Sequence, residues 1–569
     1  MPMHVALLAL SFQLALTAQP VSRPQGRPLP SAADSVRDLR VARSAQASFE
    51  RARRYSLPEG GGLAERCDVH LGRFCWTFNQ YQPEFPPEAA QISRRRAELL
   101  ATLDALADRR PGDDWIAGMR VHYRIDGKSA ASADSIARAC EATRWWCLAL
   151  VGYTQHALGN SVAAESAFVG ALTSMPAAEG CKWRNIAFLL PSSTRHYYET
   201  LSCDTRRPVE DRYWLLSRPQ LAAPANEWRT EFYVRRVLAT LFEHATSTME
   251  GAWGADKEEL LLRYGWPVGW QRSQTMYGSA ADVRVTEYEH VPNFNFAPVE
   301  ALYDTSATAQ NDGWELRAHA PEANYAPRLI ANVAPVAMQV ARFRRGDSVL
   351  VVSAHAAAHD SLGDGADAVL AVAMPDGTTR RASAEGRVGR ARLMVESFPV
   401  LAGVEITDTT MRTLARARTL LRVPDNSVGL ALSDMLLFRA GEGAPESLDA
   451  ALEAAIPGDT LSRSRPIGIY WETYGIAESG ESFDVGVTVE RIDRSWFRGA
   501  KQLLRLAEPD NPLRLRWNDA RPAASGQPIS RAISLDLANQ SPGKYRITVG
   551  LIRADGSVVA STRVIELRH

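Results

Sequence analysis

The stretch GAWGADKEELLLRYGWPVGWQR, from Gly251 to Arg272, lies near the middle of the chain and decides how its two halves are joined. The apolar run within EELLLRYG is short and bounded by turn residues, so we predict a short buried strand there. A turn cluster, GWPVGW, follows it. An aspartate shortly before a strand usually caps a turn, and a buried arginine needs a partner. We therefore expect Asp256 to cap a turn and Arg263 to pair with Asp256 or Glu259, in structural rather than catalytic roles.

The length and charge of the chain limit the classes of function. At 569 residues the chain should contain several domains, because domains commonly have roughly 100–200 residues. Its formal net charge is zero, and its arginines are scattered along the sequence. Nucleic acids and anionic membranes attract basic surfaces, so we expect neither as a general partner.

The N-terminus carries a short apolar run from Val5 to Leu16, followed by Thr17 and Ala18. A membrane-spanning helix requires about 20 apolar residues, so this run is too short to cross a bilayer. It is typical of a signal peptide, which we predict for residues 1–18. We therefore expect an exported protein of the periplasm, outer envelope or medium, with no transmembrane segment after signal removal. The alternative is a cytoplasmic chain with an apolar start.

The segment after the signal, residues 19–65, is rich in Pro, Arg, Ser, Ala and Gly. Such a composition buries little apolar surface, so it predicts a flexible leader. Within the leader, a helix is expected from near Ser31 to Arg54, where LPEGGG would end it.

Six cysteines occur in the first half of the chain, and they form three pairs of neighbours in the sequence. An even number of cysteines in an exported chain favours disulfides. The expected pairs are Cys67–Cys75, Cys140–Cys147 and Cys181–Cys203. The alternative is six buried thiols. A zinc site is not expected, because the chain has neither a CxxC motif nor histidines at zinc-finger spacing.

Residues 66–225 are predicted to be helical, and the part from Trp145 to Pro176 resembles a tetratricopeptide repeat. That repeat is a pair of helices with small residues where the helices cross. The matching positions are Gly152, Gly159, Ala164, Phe168, Ala171 and Pro176. One repeat cannot bury its own apolar face, so neighbouring helices must stack on it. The resemblance implies a region that binds a protein partner.

Aromatic residues are dense towards the end of this helical region: Trp183, Phe188, Tyr197, Tyr198, Tyr213 and Trp214. They could line a groove that binds a peptide or a glycan. We favour the alternative, in which they pack the helices against the next domain.

The next segment, residues 226–330, begins with Asn226, which can cap a helix. The stretch quoted above resembles the GWxTD domain of bacteria. The matching residues are Trp253, Asp256, Arg263, Tyr264, Gly265 and Pro267. The sequence departs from the family motif at Ala252, which separates the glycine from the tryptophan, and at Ala255, where the family has threonine. The resemblance implies a small α/β unit in an envelope protein, with no catalytic residues and no cofactor.

The C-terminal half has strand-like segments that alternate with period two. We predict a first β-sandwich at 331–440, a linker at 441–459 and a second β-sandwich at 460–569, both immunoglobulin-like. The predicted fold class is therefore multidomain α+β, with helical repeats, a central α/β segment and two sandwiches.

The strongest candidate for chemistry is SAHAAAHDSLGDGAD, from Ser353 to Asp367. It holds two histidines and three acids that loosely suggest a metal site: His355, His359, Asp360, Asp364 and Asp367. We interpret the segment as a solvated loop between strands, because the spacing fits no known metal motif. No hydrolase, P-loop or dinucleotide motif occurs.

The sequence therefore predicts no catalytic, cofactor-binding or metal-binding residues. We expect an exported, non-enzymatic scaffold that binds another envelope protein through its helical repeats. The first alternative is an envelope-acting hydrolase with unidentified catalytic residues. The second is a glycan-binding protein that uses the aromatic cluster.

Overall fold

The computed structural model describes most of the chain, but the predicted signal peptide at 1–18 lies outside the described residues. They are 32–60, 67–78, 84–248, 252–274, 283–298, 302, 314–358, 362–363, 365–422, 429–441, 443–475, 483–493, 512–519, 527–552, 556 and 558–569. The fold is mixed α+β, with a helical N-terminal region and a sheet-rich C-terminal region. Among the described residues, no helix combines the length and apolar character needed to cross a bilayer.

The helices of the described residues lie mainly before residue 265. They are α1 (Ala32–Ser56), α2 (Ala90–Arg109), α3 (Asp114–Asp126), α4 (Ala130–Arg138), α5 (Arg144–Ala157), α6 (Ser161–Ser174), α7 (Ala177–Arg184), α8 (Ser192–Thr200), α9 (Cys203–Leu216), α10 (Glu227–Phe242), α11 (Ala255–Tyr264) and α12 (Leu448–Glu453). A single 3-10 turn, Ala187–Leu189, separates α7 from α8.

Two short hairpins accompany the helices, and the other strands follow residue 331. The hairpins are β1 (Val69–Leu71) with β2 (Phe74–Trp76), and β3 (Gly269–Gln274) with β4 (Val283–Tyr288). The later strands are β5 (Asn332–Arg345), β6 (Ser348–Ala357), β7 (Asp367–Ala373), β8 (Thr379–Ala384), β9 (Val388–Val395), β10 (Leu401–Asp408), β11 (Thr413–Leu420), β12 (Ala431–Leu432), β13 (Leu436–Arg439), β14 (Thr460–Ser462), β15 (Ile467–Tyr474), β16 (Phe483–Arg491), β17 (Leu513–Asp519), β18 (Ile529–Leu535), β19 (Gly543–Ile552) and β20 (Val558–Arg568).

The helix α1 corrects the predicted flexible leader at 19–65 for residues 32–60, the part of it that the structure describes. The expected helix from Ser31 to Arg54 matches α1 closely, but α1 is packed into the fold. Ala42 and Phe49 are buried in the main helical core. The Tyr123 hydroxyl donates a hydrogen bond of 2.7 Å to the buried carboxylate of Glu50. The sparse apolar residues of this segment lie on one face of the helix, and that face is enough to hold it in place.

The helix α11 corrects the strand predicted for EELLLRYG. Gly254 precedes the helix in an extended conformation, and Asp256 lies in its first turn, where a negative charge is favourable. Gly265 ends the helix at a φ of 94°, in the left-handed region that favours glycine. Leu261 and Leu262 are buried against the helical core. A short apolar run fits a buried helix turn as well as a strand, and the flanking glycines act here as helix boundaries.

One hydrophobic core spans the predicted boundary at residue 225. Trp146 of α5, Phe168 of α6, Phe232 of α10 and Leu262 of α11 all belong to it. The predicted cap at the start of α10 is confirmed, since the Asn226 side chain accepts a hydrogen bond of 3.2 Å from the amide of Arg229. The segment that contains α10 and α11 is thus packed into the helical region.

The first sheet of the C-terminal region has seven strands in the order β8-β7-β10-β11-β5-β6-β9. Neighbours are antiparallel except for β11 and β5, which are parallel. The sheet is nearly closed, because its two end strands, β8 and β9, lie near each other. Alternate residues such as Val351, Leu370 and Val404 fill its interior.

Two further sheets share a second core. Their strands place the start of the second unit before residue 440, where the sequence had predicted the end of the first. One sheet has the order β14-β20-β19-β16-β17, and in the other β15 pairs with β12, β13 and β18. The strands β12 and β13 therefore belong to the second unit, although the sequence assigned them to the end of the first. Leu437 of β13 belongs to the same buried cluster as Val487 and Val549 of the second core. The period-two pattern marks the strand but does not identify the sheet that it joins.

The predicted linker at 441–459 contains a helix, α12, that packs against both sheet-rich units. Ser447 caps this helix by accepting a hydrogen bond of 3.2 Å from the amide of Ala450. Leu448 and Leu452 pack with Phe343 of β5 and Phe438 of β13. The helix therefore joins the outer face of the nearly closed sheet to the second unit.

A buried ion pair within the nearly closed sheet is hydrogen-bonded to the chain around the end of α9 and so links the sheet to the helical region. The Arg418 guanidinium donates to Glu405 at 2.7 Å, and their side chains are 1% and 2% exposed. The same carboxylate accepts the backbone amides of Leu221 and Ala222 at 2.6 and 2.9 Å. Glu405 thus accepts three hydrogen bonds, one from Arg418 and two from backbone amides of the segment after α9, and these form a single network.

We expect Glu405→Ala to destabilise the protein by about 3–5 kcal/mol, because Arg418 would remain buried without its acid. Urea unfolding followed by tryptophan fluorescence measures this change. The matched control is Glu396→Ala, which removes the acid of the exposed pair with Arg380 and should leave the curve close to wild type. Equal curves for the two variants would contradict a role for Glu405 at this junction.

Candidate functional site

Asp256 holds the β1–β2 hairpin against the start of α11. Its two carboxylate oxygens accept hydrogen bonds of 2.6 and 2.8 Å from the guanidinium of Arg73. These bonds hold the pKa of Asp256 well below its usual range. Gly72, at a φ of 53°, lies so close that a Cβ there would be 2.7 Å from the Asp256 side chain. Asp256 is therefore a docking point for a separate hairpin, and it does not contact Arg263 as one of our alternatives expected.

Arg263 pairs with two acids, and Glu259 is the one that the sequence had suggested. Its guanidinium lies 3.0 Å from Glu259 and 2.9 Å from Glu322. Glu259 also lies 3.1 Å from Arg195 of α8. Burial raises the pKa of Glu322, and the charge of Arg263 opposes that shift. The three segments that carry these residues are thus joined by one network of charges.

The end of α11 is fixed by a stack of rings and by a buried guanidinium. Tyr264 stacks on Trp76 with ring centroids 4.1 Å apart and planes 7° apart, and its hydroxyl donates to the carbonyl of Pro321 at 3.2 Å. Burial raises the pKa of Tyr264 to about 12. A Cβ on Gly265 would lie 3.0 Å from the guanidinium of Arg235. The motif tyrosine and glycine therefore have packing roles.

Trp253 and Pro267 complete the motif near the tryptophans of β3. Trp253 stacks on Phe242 of α10, with ring centroids 5.9 Å apart. Both Trp253 and Pro267 line a small cavity of about 30 Å³, together with Lys257 and Glu287. Burial lowers the pKa of Lys257 to about 8 and raises that of Glu287 to about 7. The cavity has room for about one water molecule, so it is too small for a substrate.

A larger cavity of about 300 Å³ lies beside Arg263. The β1–β2 hairpin, α8, α11 and the chain at 320–322 surround it, and Arg195, Glu259 and Glu322 line it. A hydrolase would need a carboxylate or nucleophile free to act on substrate. Here Glu259 and Glu322 are both ion-paired. The geometry favours the structural interpretation of the motif residues over a catalytic one.

The three predicted cysteine pairs are confirmed at disulfide distance. The Cα atoms are 5.5 Å apart in Cys67–Cys75, 5.6 Å in Cys140–Cys147 and 5.8 Å in Cys181–Cys203. All six cysteines lie among the described residues, and each belongs to one of these pairs. The pairs join the ends of a hairpin, the helices α4 and α5, and the helices α7 and α9.

The histidine-rich segment is divided between a strand and residues outside the described part of the chain. His355 is buried in β6, and its Nε2 donates at 3.1 Å to the carbonyls of Glu385 and Gly386. Asp367 begins β7 and is exposed, while His359, Asp360 and Asp364 lie outside the described residues. Within the described part of the chain, no group of three or more His, Cys, Asp or Glu side chains is placed to hold a metal ion.

The aromatic cluster of the helical region is mostly internal. Trp183, Tyr198, Tyr213 and Trp214 are buried in the helical core. Tyr197 is 54% exposed, and Phe188 is half-buried beneath the guanidinium of Arg195, 4.7 Å from the ring centre. These residues therefore pack mainly within the helical core, and Trp214 makes the predicted contact with the next segment, through Trp228 and Phe232 of α10.

Three residues at the motif were not identified from the sequence: Arg73, Arg235 and Glu322. Arg235 donates to the carbonyls of Leu262 and Arg263 at 3.0 and 2.9 Å, and to that of Asn324 at 2.9 Å. A signal for it does exist, because Glu231 precedes Arg235 by one helical turn and pairs with it at 2.8 Å. Arg73 and Glu322 are distant in sequence and carry no comparable local signal.

No model of a known protein family matches the chain, and no curated protein matches it. Among solved structures, a tetra-tandem repeat from the extending region of a large adhesion protein is 13% identical, with a TM-score of 0.14, over 43% of this chain and 51% of that chain. Red sea bream transglutaminase is 10% identical, with a TM-score of 0.13, over 41% and 31%. A Bacteroides uniformis beta-glucuronidase is 11% identical, with a TM-score of 0.15, over 53% and 32%. The chain spans about half or less of each of these proteins, and such TM-scores carry no argument about function.

A pH-dependent contribution to stability is expected from Glu289, which follows β4 and accepts a hydrogen bond from the indole of Trp76. Burial raises the pKa of Glu289 to about 8, whereas an unfolded glutamate titrates near 4.5. Between these values the folded state holds the extra proton, so this contribution to stability falls as the pH rises. Glu289→Gln removes this pH-dependent contribution. Relative to wild type, the free energy of unfolding of the variant should therefore rise by on the order of 1 kcal/mol for each pH unit from 5 to 8.

Urea unfolding at several pH values measures this gain as the difference between the two free energies of unfolding. The control is Glu490→Gln, which alters an acid that is half-exposed beside Arg546. Its difference from wild type should stay constant with pH. Parallel profiles for wild type and Glu289→Gln would show that Glu289 is ionised in the folded protein.

Proposed function

We propose that the chain is an exported, non-enzymatic scaffold of the cell envelope that binds a protein partner through its helical region. An apolar stripe on the solvent side of α6 carries this proposal. Val162 and Val169 lie about two helical turns apart and are 56% and 51% exposed. Leu158, just before the helix, is 37% exposed. Exposed apolar side chains grouped on one helix face are typical of surfaces that bind another protein.

The opposite face of α6 supports a repeat-like arrangement. Ala164, Phe168 and Ala171 are buried there, against α5 and its neighbours. A Cβ at Gly152 would lie 2.8 Å from the Phe168 ring, so this position requires glycine where the two helices cross. This close packing supports the proposed tetratricopeptide-like hairpin, and it fixes α6 with its valines facing solvent.

The two alternatives have less support. An envelope hydrolase would need reactive groups at the cavity beside Arg263, where the acids are engaged in ion pairs and the other candidates are Ser192 and His70. A glycan-binding groove would need several exposed rings on the helical region. In the predicted cluster, Tyr197 is the ring with the largest exposed fraction, and most of the others are in the core.

The proposed location and family rest on sequence patterns together with the disulfides and the packing of the motif residues. Three disulfides fit an oxidising compartment, which supports export with a signal peptide at 1–18. We assign the motif segment to a divergent GWxTD-like unit because its residues act together at one junction. The two sheet-rich units are proposed to be immunoglobulin-like, in keeping with extracytoplasmic modules, although a fold of this type does not define a function.

Affinity capture from the native cell envelope with the full chain tests the scaffold proposal. A double variant, Val162→Lys with Val169→Lys, places charges on the exposed stripe without changing buried residues. We expect it to recover at least about tenfold less of the partner than wild type, because a few apolar contacts carry most of the affinity of an interface.

The matched control is Val388→Lys with Met394→Lys on β9, whose side chains are 67% and 52% exposed. This variant adds the same charge to an equally exposed apolar surface outside the helical region. It should recover the partner as wild type does. Equal loss in both double variants, or equal recovery in both, would contradict docking at α6.

A further inference from the structure

A second cleft, separate from the motif segment, lies where the nearly closed sheet meets the chain before it. Its volume is about 450 Å³, within the range of small-molecule sites. Its wall is mostly apolar and includes Trp314, Leu316, Val333 and Val336. Three arginines, Arg317, Arg416 and Arg418, also line it, and no carboxylate is among the described residues that do so. The cleft is therefore apolar in body and positive in charge.

Arg416 is the unusual group in this cleft. Arg416 is 6% exposed. Among the described residues, no acid lies within ion-pair distance of its guanidinium. Its Nη1 donates to the carbonyls of Arg218 and Pro219 at 3.0 and 2.8 Å. Its Nη2 is buried and has no hydrogen-bond partner in the described part of the chain. Two carbonyls thus hold one side of the guanidinium, and the Nη2 group has no hydrogen-bond partner among the described residues.

The nearest acid cannot neutralise Arg416, because it is already engaged. Glu405 accepts Arg418 and two backbone amides. Burial, together with the neighbouring charge of Arg418, lowers the pKa of Arg416 well below its ordinary value. Phe296 lies against the guanidinium, 5.1 Å from its central carbon, and supplies only a weak cation–π contact. A buried arginine without a countercharge is unfavourable, and an anionic ligand would correct this.

We infer that this cleft binds a small monocarboxylate with an apolar body, with the carboxylate on Arg416 and the apolar part along Trp314, Leu316 and Val336. Arg317, which is exposed at the cleft, adds positive charge that attracts such an anion. A fatty acid and the C-terminus of an apolar peptide share this chemistry. This site is independent of the docking surface proposed on α6.

Isothermal titration calorimetry of the full chain with dodecanoate, below its micelle concentration, tests the site directly. Dodecanoate should bind at least about tenfold more tightly than dodecanol or dodecyltrimethylammonium, because only the acid forms a charge-assisted bond with Arg416. Arg416→Gln should lower the affinity for dodecanoate at least about tenfold. The control Arg392→Gln, on β9 and half-exposed, should bind as wild type does.

A peptide that ends in leucine, compared with its C-terminal amide, distinguishes the two sources of carboxylate. Tighter binding of the peptide acid than of dodecanoate, with loss in the amide, would support the carboxylate site and identify a chain terminus as its ligand. Equal binding of dodecanol and dodecanoate, or no binding of either acid, would overturn the inference.

A second measurement does not depend on Arg416→Gln remaining folded. A dodecanoate analogue with bromine at the end of its chain should quench part of the tryptophan fluorescence of the wild type, because Trp314 lines the cleft. Trp314→Phe keeps a ring at this position and should remove that quenching while dodecanoate still binds. The same quenching in the variant would place the ligand elsewhere and overturn the proposed site.

Discussion

The guanidinium of Arg235 is the contact on which the arrangement around the motif depends. It lies within the central helix α10 and satisfies carbonyls at the end of α11 and in the later chain at Asn324. Glu231 holds it from one side, and the ring of Trp228 lies 4.7 Å from it. The last carbonyls of a helix lack partners within that helix. Here the buried Arg235 donates hydrogen bonds to these carbonyls, so α11 can end inside the protein at Gly265.

Arginine has the same role elsewhere in the chain, which contains few lysines. Arg418 and Arg416 reach the carbonyls that follow α9, and Arg342 of β5 pairs with Asp434 at 2.7 Å. The planar guanidinium can donate to several acceptors at once, unlike the ammonium group of lysine. The junctions between modules are therefore polar and directional, and the large apolar cores lie on either side of them.

The sequence predicted what depends on near neighbours. The cysteine pairs, the Asn226 cap and the close packing at Gly152 all follow from local spacing, and the structure contains each of them. The errors arose where distant residues decide the outcome. Leucines at 260–262 fit a strand or a helix turn until the packing partner is known, and β13 has the same period whichever sheet it joins. At the candidate site, Glu259 was within reach of local reasoning, but the partner of Asp256 is 183 residues away.

The small disulfide hairpin at Cys67–Cys75 has a consequence for the order of assembly. Its docking partner on α11 is synthesised much later, so the hairpin must wait for that surface to form. The bond closes a loop with a sequence separation of only eight and keeps the turn at Gly72 and Arg73 together during that interval. The conformational entropy of the turn is then lost early. When α11 forms, the preformed hairpin can bind it through Arg73 and Asp256.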